Sequence, residues 1–463
     1  MTSSDRSRRD FLKVAAAGSV LAVPRSLLAA DTPGSESDKC KKVSANDRIG
    51  LATIGIGGQG TSDTKAALKV PGVELVAVAD VYQGRLARAR EVFCDQIAVT
   101  RDYREVLARS DVDAVIVATP DHWHARVVID ALAAGKHVYC EKPMVQTIED
   151  GQRLIDAEKR SGRIVQVGSQ RVSSVVYHKA KELIAAGAIG KLNMVQAWWN
   201  RNDPIGAWQY TIPADASPST VDWDRFLGQA PKRPFEPIRL FRWRNYRDYG
   251  TGVAGDLFVH LFSGMHVVTG SLGPTRVMAT GGLRKWDDGR DVPDVMLGLY
   301  DYPKTDEHPE FTVTLYVNFA DGGGGGEEGF RFVGDEGVLS LARDGVTVTR
   351  RPAPGPPGFT IDTFPKSAQE AFLKEYHQKY PEGPPELRPG KEEKYRRPDS
   401  YSDHDHHLRN FIEAAREKKP VIEDATFGLR AAAPALLSNT SHFETRPVRW
   451  DPRAMKVVAS AKA

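Results

Sequence analysis

The feature that most constrains the fold is a glycine-rich loop between a short apolar run and a helical segment. Residues 49–54 read IGLATI, a run of the kind that forms a buried parallel strand, and residues 55–60 read GIGGQG. In such a loop the first glycine permits a tight turn, the second lets the backbone approach a ligand, and the third lets the helix pack closely on the strand. The loop therefore predicts a phosphate-binding turn at the start of a helix.

Short apolar runs alternate with helical segments after this loop. Further apolar runs lie at residues 74–79, 114–118 and 137–140, and this alternation predicts βαβ units and a parallel sheet. We assign residues 47–168 to a doubly wound Rossmann domain and residues 169–463 to a second α/β domain. Residues 352–400 of the second domain are rich in proline and charge, and they predict a surface excursion.

The acidic residue that follows the second predicted strand indicates which dinucleotide binds. Asp80 lies twenty residues after Gly60, where a carboxylate accepts hydrogen bonds from both ribose hydroxyls. A carboxylate there repels a 2′-phosphate, so NAD is favoured over NADP, although a rearranged Arg85 would compensate. The residues expected to hold the cofactor at this end are Gly55, Gly57, Gly58, Gln59, Gly60 and Asp80.

The N-terminal thirty residues predict an export signal. Arg8 and Arg9 precede Phe-Leu-Lys at residues 11–13, and the apolar stretch at residues 14–23 is shorter than the about 20 residues that span a bilayer. We expect residues 1–30 to be a signal peptide for the twin-arginine export machinery and residues 31–46 to be a linker. The protein is then periplasmic or otherwise exported, and no later apolar stretch predicts stable membrane insertion. Because this route carries folded proteins, we expect a tightly held cofactor.

Charge and cysteine content exclude other classes of protein. The 463 residues include 63 Lys and Arg and 60 Asp and Glu, which give a formal net charge of +3 and remove the main reason to propose nucleic-acid binding. Three cysteines are too few for a disulfide framework, and no CxxC pair suggests zinc. We expect no metal site.

Two further segments carry a family resemblance. Residues 118–124 read ATPDHWH and residues 134–143 read AGKHVYCEKP, which, with the glycine loop upstream, resembles the Gfo/Idh/MocA oxidoreductases. The resemblance implies a C-terminal α/β domain built on a large open, mainly antiparallel sheet. It also implies hydride transfer between a sugar or cyclitol hydroxyl and the cofactor, and self-association into a dimer or tetramer.

The resemblance also implies the catalytic residues. Lys142 matches the catalytic lysine of the family, and Asp256 with His260 matches its Asp-x-x-x-His pair. A spacing of four places both side chains on one helical face. Hydride removal from a carbinol carbon requires the hydroxyl proton to leave, which a histidine accepts near neutral pH, while an ammonium group stabilises the developing negative charge. Asp256 then orients substrate hydroxyls or His260.

Further cofactor contacts are expected after the third and fourth predicted strands, the edge over which a dinucleotide lies in this fold, and, by the family resemblance, at the crossing into the second domain. They are Thr119, Pro120, His122, His124, Glu141, Lys142 and Gln170. An ordinary structural role is equally open for His122 and Gln170.

Three other patterns allow both a structural and a functional interpretation. Five tryptophans, at positions 198, 199, 208, 223 and 243, favour a core role, with one or two available to line a carbohydrate cleft. Arg242 and Arg244 favour a charged rim over recognition of an acidic sugar. Residues 403–407 read DHDHH, which resembles a metal cluster but is expected to cap a following helix.

Two rival functions stay open. Some relatives use NAD to oxidise a sugar transiently and eliminate its glycosidic bond, so that the net reaction is glycoside hydrolysis. The segment Phe258-Val259-His260 lacks the Tyr-x-x-His pattern of that version. A protein that binds NAD and sugar without turnover is the third possibility, against which the joint presence of Lys142, Asp256 and His260 argues.

Overall fold

The computed structural model describes residues 48–323, 326, 328–350, 358, 360–381 and 392–459. The predicted signal peptide (1–30) and linker (31–46) lie outside the described residues, as does part of the proline-rich segment at 352–400. Both predictions therefore stay predictions.

The first sheet has six parallel strands in the order β3-β2-β1-β4-β5-β6. The strands are β1 (Ile49–Ile54), β2 (Val73–Ala79), β3 (Ala98–Thr100), β4 (Ala114–Val117), β5 (His137–Cys140) and β6 (Val165–Val167). The helices that connect them are α1 (Gly58–Ala67), α2 (Gln83–Val92), α3 (Tyr103–Leu107), α4 (Asp121–Ala133) and α5 (Ile148–Ser161). Strands β4 and β5 are buried along their whole length, as expected for strands covered on both faces. The predicted Rossmann fold is confirmed.

The second sheet has ten strands in the order β14-β13-β12-β11-β7-β10-β9-β8-β15-β16. Its strands are β7 (Leu192–Asn200), β8 (Arg276–Gly282), β9 (Val295–Tyr302), β10 (Phe311–Asn318), β11 (Glu328–Gly334), β12 (Gly337–Ala342), β13 (Gly345–Arg350), β14 (Glu392–Arg396), β15 (Val448–Asp451) and β16 (Lys456–Val458). Among the described strand pairs of this second sheet, only β7–β10 is parallel. The predicted mainly antiparallel sheet is therefore confirmed.

Helices cover one face of this sheet. The described α-helices after residue 168 are α6 (Val175–Ala185), α7 (Trp223–Leu227), α8 (Pro237–Phe241), α9 (Val259–Thr269), α10 (Lys366–Lys379), α11 (Asp403–Glu417) and α12 (Ala425–Phe443). The helices on the sheet are α6, α9 and α12: α9 packs between α6 and α12, α6 contacts β12 and β13, and α12 contacts β8. In β10 the alternate residues Phe311, Val313 and Leu315 are buried, as a sheet with one buried face requires. On the other face Leu297 and Leu299 are 48% and 51% exposed.

Helix α11 belongs by packing to the first domain. Its residues Leu408, Phe411 and Ile412 pack with Leu51 and Tyr139 of the parallel sheet. The sequence divides the chain at residue 168, because a linear pattern does not show that a segment more than 230 residues later returns to the first sheet. Within the described residues, no helix combines the length and apolarity needed to cross a membrane.

Candidate active site

The glycine loop has the geometry that the sequence predicts. Gly55 has a φ of +90°, and a Cβ there would lie 2.6 Å from the Ala118 carbonyl oxygen. A Cβ on Gly60 would lie 2.1 Å from the Gly55 carbonyl oxygen, whereas a Cβ on Gly58 would meet no atom within 4 Å. Only glycine therefore fits at the turn and at the first contact between helix and strand, and the surface over Gly58 is open.

A cavity of about 440 Å³ runs from this loop toward the second domain. Its walls include Gly57 and Asp80 from the first domain and Tyr210 and Arg244 from the second. Thr119 also lines it, and its buried hydroxyl has no hydrogen-bond partner among the described residues. The open backbone of the loop and this unsatisfied hydroxyl fit a dinucleotide.

Asp80 directly follows β2 and is buried at the cavity wall. One carboxylate oxygen accepts a hydrogen bond from the Tyr82 backbone N–H at 3.0 Å, and the other lies 3.6 Å from Arg85 Nη1. The Arg85 guanidinium also reaches the glycine loop, where a Cβ on Gly57 would lie 3.6 Å from it. Asp80 and Arg85, the two residues from which the sequence predicts the choice between NAD and NADP, are thus in contact.

Lys142 follows β5 and reaches into the second domain. Its ammonium group donates to Asp256 Oδ1 at 2.7 Å and to the Asp256 carbonyl oxygen at 2.8 Å. Arg244 Nε donates to the same Oδ1 at 3.2 Å. Burial would raise the pKa of Asp256, but Lys142, Arg244 and Arg201 outweigh it and hold that pKa well below its usual range. Asp256 is therefore ionised, and it fixes two cations in place.

Asp256 lies in a π-helical turn, Ala254–Phe258, which continues into α9. His260 lies in the first turn of α9, four residues later, and its Nδ1 is buried with no partner among the described residues. Burial, followed by the charges of Lys142 and Arg171, lowers the pKa of His260 well below its ordinary value. The imidazole is neutral near pH 7 and can accept a proton.

Two arginines missed in the sequence lie beside His260. The Trp199 ring is 5.5 Å from the His260 ring, 4.5 Å from the Arg171 guanidinium and 5.4 Å from that of Arg201. Arg171 comes from the 3₁₀ turn after β6, and Arg201 directly follows β7. Arginine is common and no motif marks these two, so only the pairing of distant strands could reveal them.

Other predicted residues have structural contacts. His122 Nε2 lies 2.9 Å from the Phe226 carbonyl oxygen, and burial lowers the pKa of His122 to about 4. His124 is buried, with its ring nitrogens 2.7 Å from the Pro143 carbonyl oxygen and 2.8 Å from that of Thr119. Both histidines thus brace the loops around the cavity.

Gln170, Glu141 and Gln59 form one hydrogen-bonded group. Gln170 Nε2 donates to Glu141 Oε1 at 2.6 Å, and Gln59 Nε2 donates to the same oxygen at 3.5 Å and to Asp63 Oδ1 at 2.8 Å. Burial, followed by the nearby Asp63 charge, raises the pKa of Glu141 well above its usual value. These hydrogen bonds connect the helix that begins at the glycine loop with the segment after β5 that contains Lys142. Pro120 lines the cavity directly.

The tryptophans and the arginines near them lie in different surroundings, some in the core and some at the cavity. Trp208 is fully buried, whereas Trp243 lines the cavity. Arg242 donates from Nε to the Tyr210 carbonyl oxygen at 2.9 Å. The expectation of a charged rim at both arginines fails for Arg244, because a carboxylate from another segment, Asp256, draws it into the site.

Residues 403–407 lie inside the beginning of α11, so the prediction that this segment caps the helix is wrong: the N-cap is Ser402, whose side chain accepts from the Asp405 N–H. His404 Nε2 lies 2.7 Å from Asp63 Oδ1, and His407 Nε2 lies 2.8 Å from the Val167 carbonyl oxygen. The side chains thus point to different partners. Among the described residues no group of three or more His, Cys, Asp or Glu side chains could hold a metal ion.

The similarity to known proteins is concentrated in the first domain. Residues 49–169 match the model of an oxidoreductase family with an NAD-binding Rossmann fold, GFO_IDH_MocA. Inositol 2-dehydrogenase of Salmonella typhimurium is 38% identical over 144 residues, which is 31% of this chain and 43% of that protein. Glycosyl hydrolase family 109 protein 1 of Shewanella sp. is 32% identical over 157 residues, or 31% of this chain and 33% of that protein.

The fold similarity extends further than the sequence similarity. The structure of levoglucosan dehydrogenase in complex with NADH and levoglucosan aligns with a TM-score of 0.62 over 87% of this chain and 99% of that chain, at 19% identity. The chain spans less than half the length of the curated relatives it matches in sequence, so the likeness beyond the first domain is one of fold. Residues 49–169 are therefore similar to the NAD-binding Rossmann domain of the Gfo/Idh/MocA oxidoreductases.

Proposed function

We propose that this protein is an NAD-dependent oxidoreductase that moves a hydride between the nicotinamide and a secondary hydroxyl of a sugar or cyclitol. The observation that carries the proposal is the contact of Lys142 with Asp256, 2.7 Å across the two domains, one helical turn from a neutral His260. Arg244 donates a hydrogen bond to Asp256 and also lines the cavity that contains the glycine loop.

Each residue has a definite role in this proposal. The cofactor, when bound, supplies the hydride acceptor. His260 accepts the hydroxyl proton as the base, because its imidazole is neutral and its Nδ1 has no described partner. Lys142 donates a hydrogen bond to the substrate oxygen and stabilises its developing negative charge, while Asp256 holds the ammonium in place.

We further propose NAD rather than NADP as the cofactor. The proposal is supported by Asp80, which lines the cavity with Gly57 and Arg85, because a carboxylate there accepts hydrogen bonds from ribose hydroxyls and repels a 2′-phosphate. The predicted twin-arginine signal supports export with the cofactor already bound. Mass spectrometry of the ligand released from purified, exported protein tests both points, since NAD is the expected ligand and NADP or an empty protein contradicts them.

Self-association through the open face of the ten-stranded sheet is also part of the proposal. Leu299 and Leu297 of β9 lie beside Met278 of β8 and Tyr316 of β10, and all four side chains are more than a third exposed. A contiguous apolar face of this kind is typical of a protein–protein interface. A second copy of the chain is the proposed occupant.

Incubation of the NAD-loaded protein with a panel of sugars, cyclitols and aryl glycosides tests the function. We expect NADH to accumulate with at least one alcohol, together with the oxidised form of that alcohol. Release of an aglycone without net NADH would instead support the glycosidase, which the similarity to inositol 2-dehydrogenases does not favour. Binding of sugar without any oxidation would support the non-catalytic alternative.

A further inference from the structure

Four cations lie around His260 and Asp256. Lys142 comes from the first domain, Arg171 from the turn that follows it, and Arg201 and Arg244 from the second domain. Lys142, Arg171 and Arg201 all act to lower the pKa of His260, after the larger effect of burial, so each lies close enough for its charge to be felt at the imidazole.

The described carboxylates neutralise only part of this charge. Asp256 pairs with both Lys142 and Arg244, and Glu328 pairs with Arg171. Two carboxylates thus form ion pairs with three of these four cations. Each cation is at least half withdrawn from solvent, where an unbalanced charge is costly unless a counter-charge reaches it.

Arg201 is the cation of this group that no described carboxylate approaches to ion-pair distance. Its Nη1 donates to the Gly206 carbonyl oxygen at 3.0 Å, and its guanidinium lies over the rings of Trp199 at 5.4 Å and Phe319 at 5.5 Å. These contacts hold the guanidinium in place but do not neutralise it. The Trp199 ring on which this guanidinium lies is 5.5 Å from the His260 ring, and the Arg201 charge also acts to lower the pKa of Asp256. Arg201 therefore lies close to the proposed base and has N–H groups that no described carboxylate accepts from.

We infer that the substrate is an acidic sugar or cyclitol derivative, and that Arg201 binds its carboxylate or phosphate group while the neighbouring secondary hydroxyl faces Lys142 and His260. This inference rests on the proposed function and narrows its substrate class. The chemistry of hydride transfer is unchanged, because the acidic group is a recognition element and neither gains nor loses a bond. Specificity follows because a neutral substrate leaves the partly buried guanidinium without an ion-pair partner.

Matched neutral and acidic substrates test the inference on the unaltered protein. The pairs are D-glucose with D-glucuronate, D-galactose with D-galacturonate, and D-glucose with D-glucose 6-phosphate, which separates carboxylate from phosphate. We expect kcat/KM for NADH formation to be at least about 10-fold higher for the acidic member of one pair, the size expected of one charge-assisted hydrogen bond. We also expect that member alone to raise the Tm of the NADH-bound protein.

Substitution of Arg201 assigns the effect to one side chain. In Arg201→Gln we expect KM for the acidic substrate to rise about 10- to 100-fold with a smaller change in kcat, and Arg201→Lys to recover part of the loss. Arg153→Gln is the matched control, because Arg153 is an exposed arginine paired with Asp150 on α5. An unchanged Tm of the NADH-bound variants shows that the fold is intact.

The outcomes separate the inference from the proposed function. Preferential oxidation of neutral sugars, or equal effects of Arg201→Gln and Arg153→Gln on acidic substrates, overturns the inference and leaves the dehydrogenase proposal standing. Failure of every neutral and acidic compound to reduce bound NAD overturns both.

Discussion

Lys142 and Asp256 are 114 residues apart in the chain and joined by two hydrogen bonds, one to the carboxylate and one to the carbonyl oxygen of Asp256. Both groups are nearly buried, so water does little to weaken the pair. The contact fixes the ammonium of the first domain at the start of helix α9, whose His260 is the proposed base. This contact thus links the two domains at the place where the chemistry is proposed.

The glycine loop gives a direct test of close packing. We expect Gly60→Ala to lower the free energy of unfolding by about 1–3 kcal/mol, because the new methyl group would lie 2.1 Å from the Gly55 carbonyl oxygen. Gly58→Ala is the control, since its methyl group would meet no atom within 4 Å. Urea unfolding of the two variants measures the difference, and equal stability would contradict the packing role of Gly60.

Cofactor preference depends on the Asp80–Arg85 contact. In Asp80→Asn we expect NADH to bind about 10-fold more weakly and NADPH more tightly, because the carboxylate that accepts from the ribose is lost and Arg85 is released toward a 2′-phosphate. Fluorescence titration with both nucleotides measures this. Asp111→Asn, which alters an ion pair with Arg109, is the control and should leave both affinities unchanged. Retention of the wild-type preference in Asp80→Asn would show that another group selects the cofactor.

The pH dependence of alcohol oxidation reports the state of His260. Burial and the nearby cations lower its pKa well below the ordinary 6.5, so the imidazole remains neutral and able to accept a proton when the pH falls through that value. We therefore expect kcat/KM to stay level from pH 8 to pH 6.5 and to decline only at lower pH. A midpoint at or above pH 6.5 in the acidic limb would contradict the assignment of His260 as a desolvated base.

The proposed oligomer depends on an apolar sheet face. Leu299→Lys places a charge at the centre of that face, and we expect it to dissociate the oligomer and leave the fold intact. Ile205→Lys is the control, because Ile205 is 60% exposed in a loop outside the sheet. Light scattering after size-exclusion chromatography gives the mass. A monomeric wild-type protein, or a Leu299→Lys variant of unchanged mass, would rule out association through this face.

The sequence predicted those parts of the molecule that depend on local patterns. The turn at Gly55 and the position of Asp80 follow from residues close together in the chain, and a motif marks Lys142. The alternation of apolar residues at 311–317 is also a local pattern, typical of a strand with one buried face, and β10 has this burial.

Parts that depend on contacts between distant segments could not be predicted. Arg201 and Trp199 reach His260 only because β7 pairs with β10 and β11 in the second sheet. Helix α11 returns to the first sheet through Leu408 and Phe411, and no local periodicity records the partner. The sequence predicts a charged rim at Arg244, and only the hydrogen bond from Arg244 to Asp256 shows that this residue belongs to the candidate site.

The central claim is that the ammonium group of Lys142 stabilises the negative charge that develops on the substrate oxygen during hydride transfer. Comparison of the wild-type protein with Lys142→Met, both saturated with NAD and supplied with the substrate found in the panel, tests it most directly. We expect kcat/KM for NADH formation to fall by about 10²- to 10⁴-fold in the variant while its affinity for NADH stays within a factor of about three. Turnover by Lys142→Met at the wild-type rate would contradict the account.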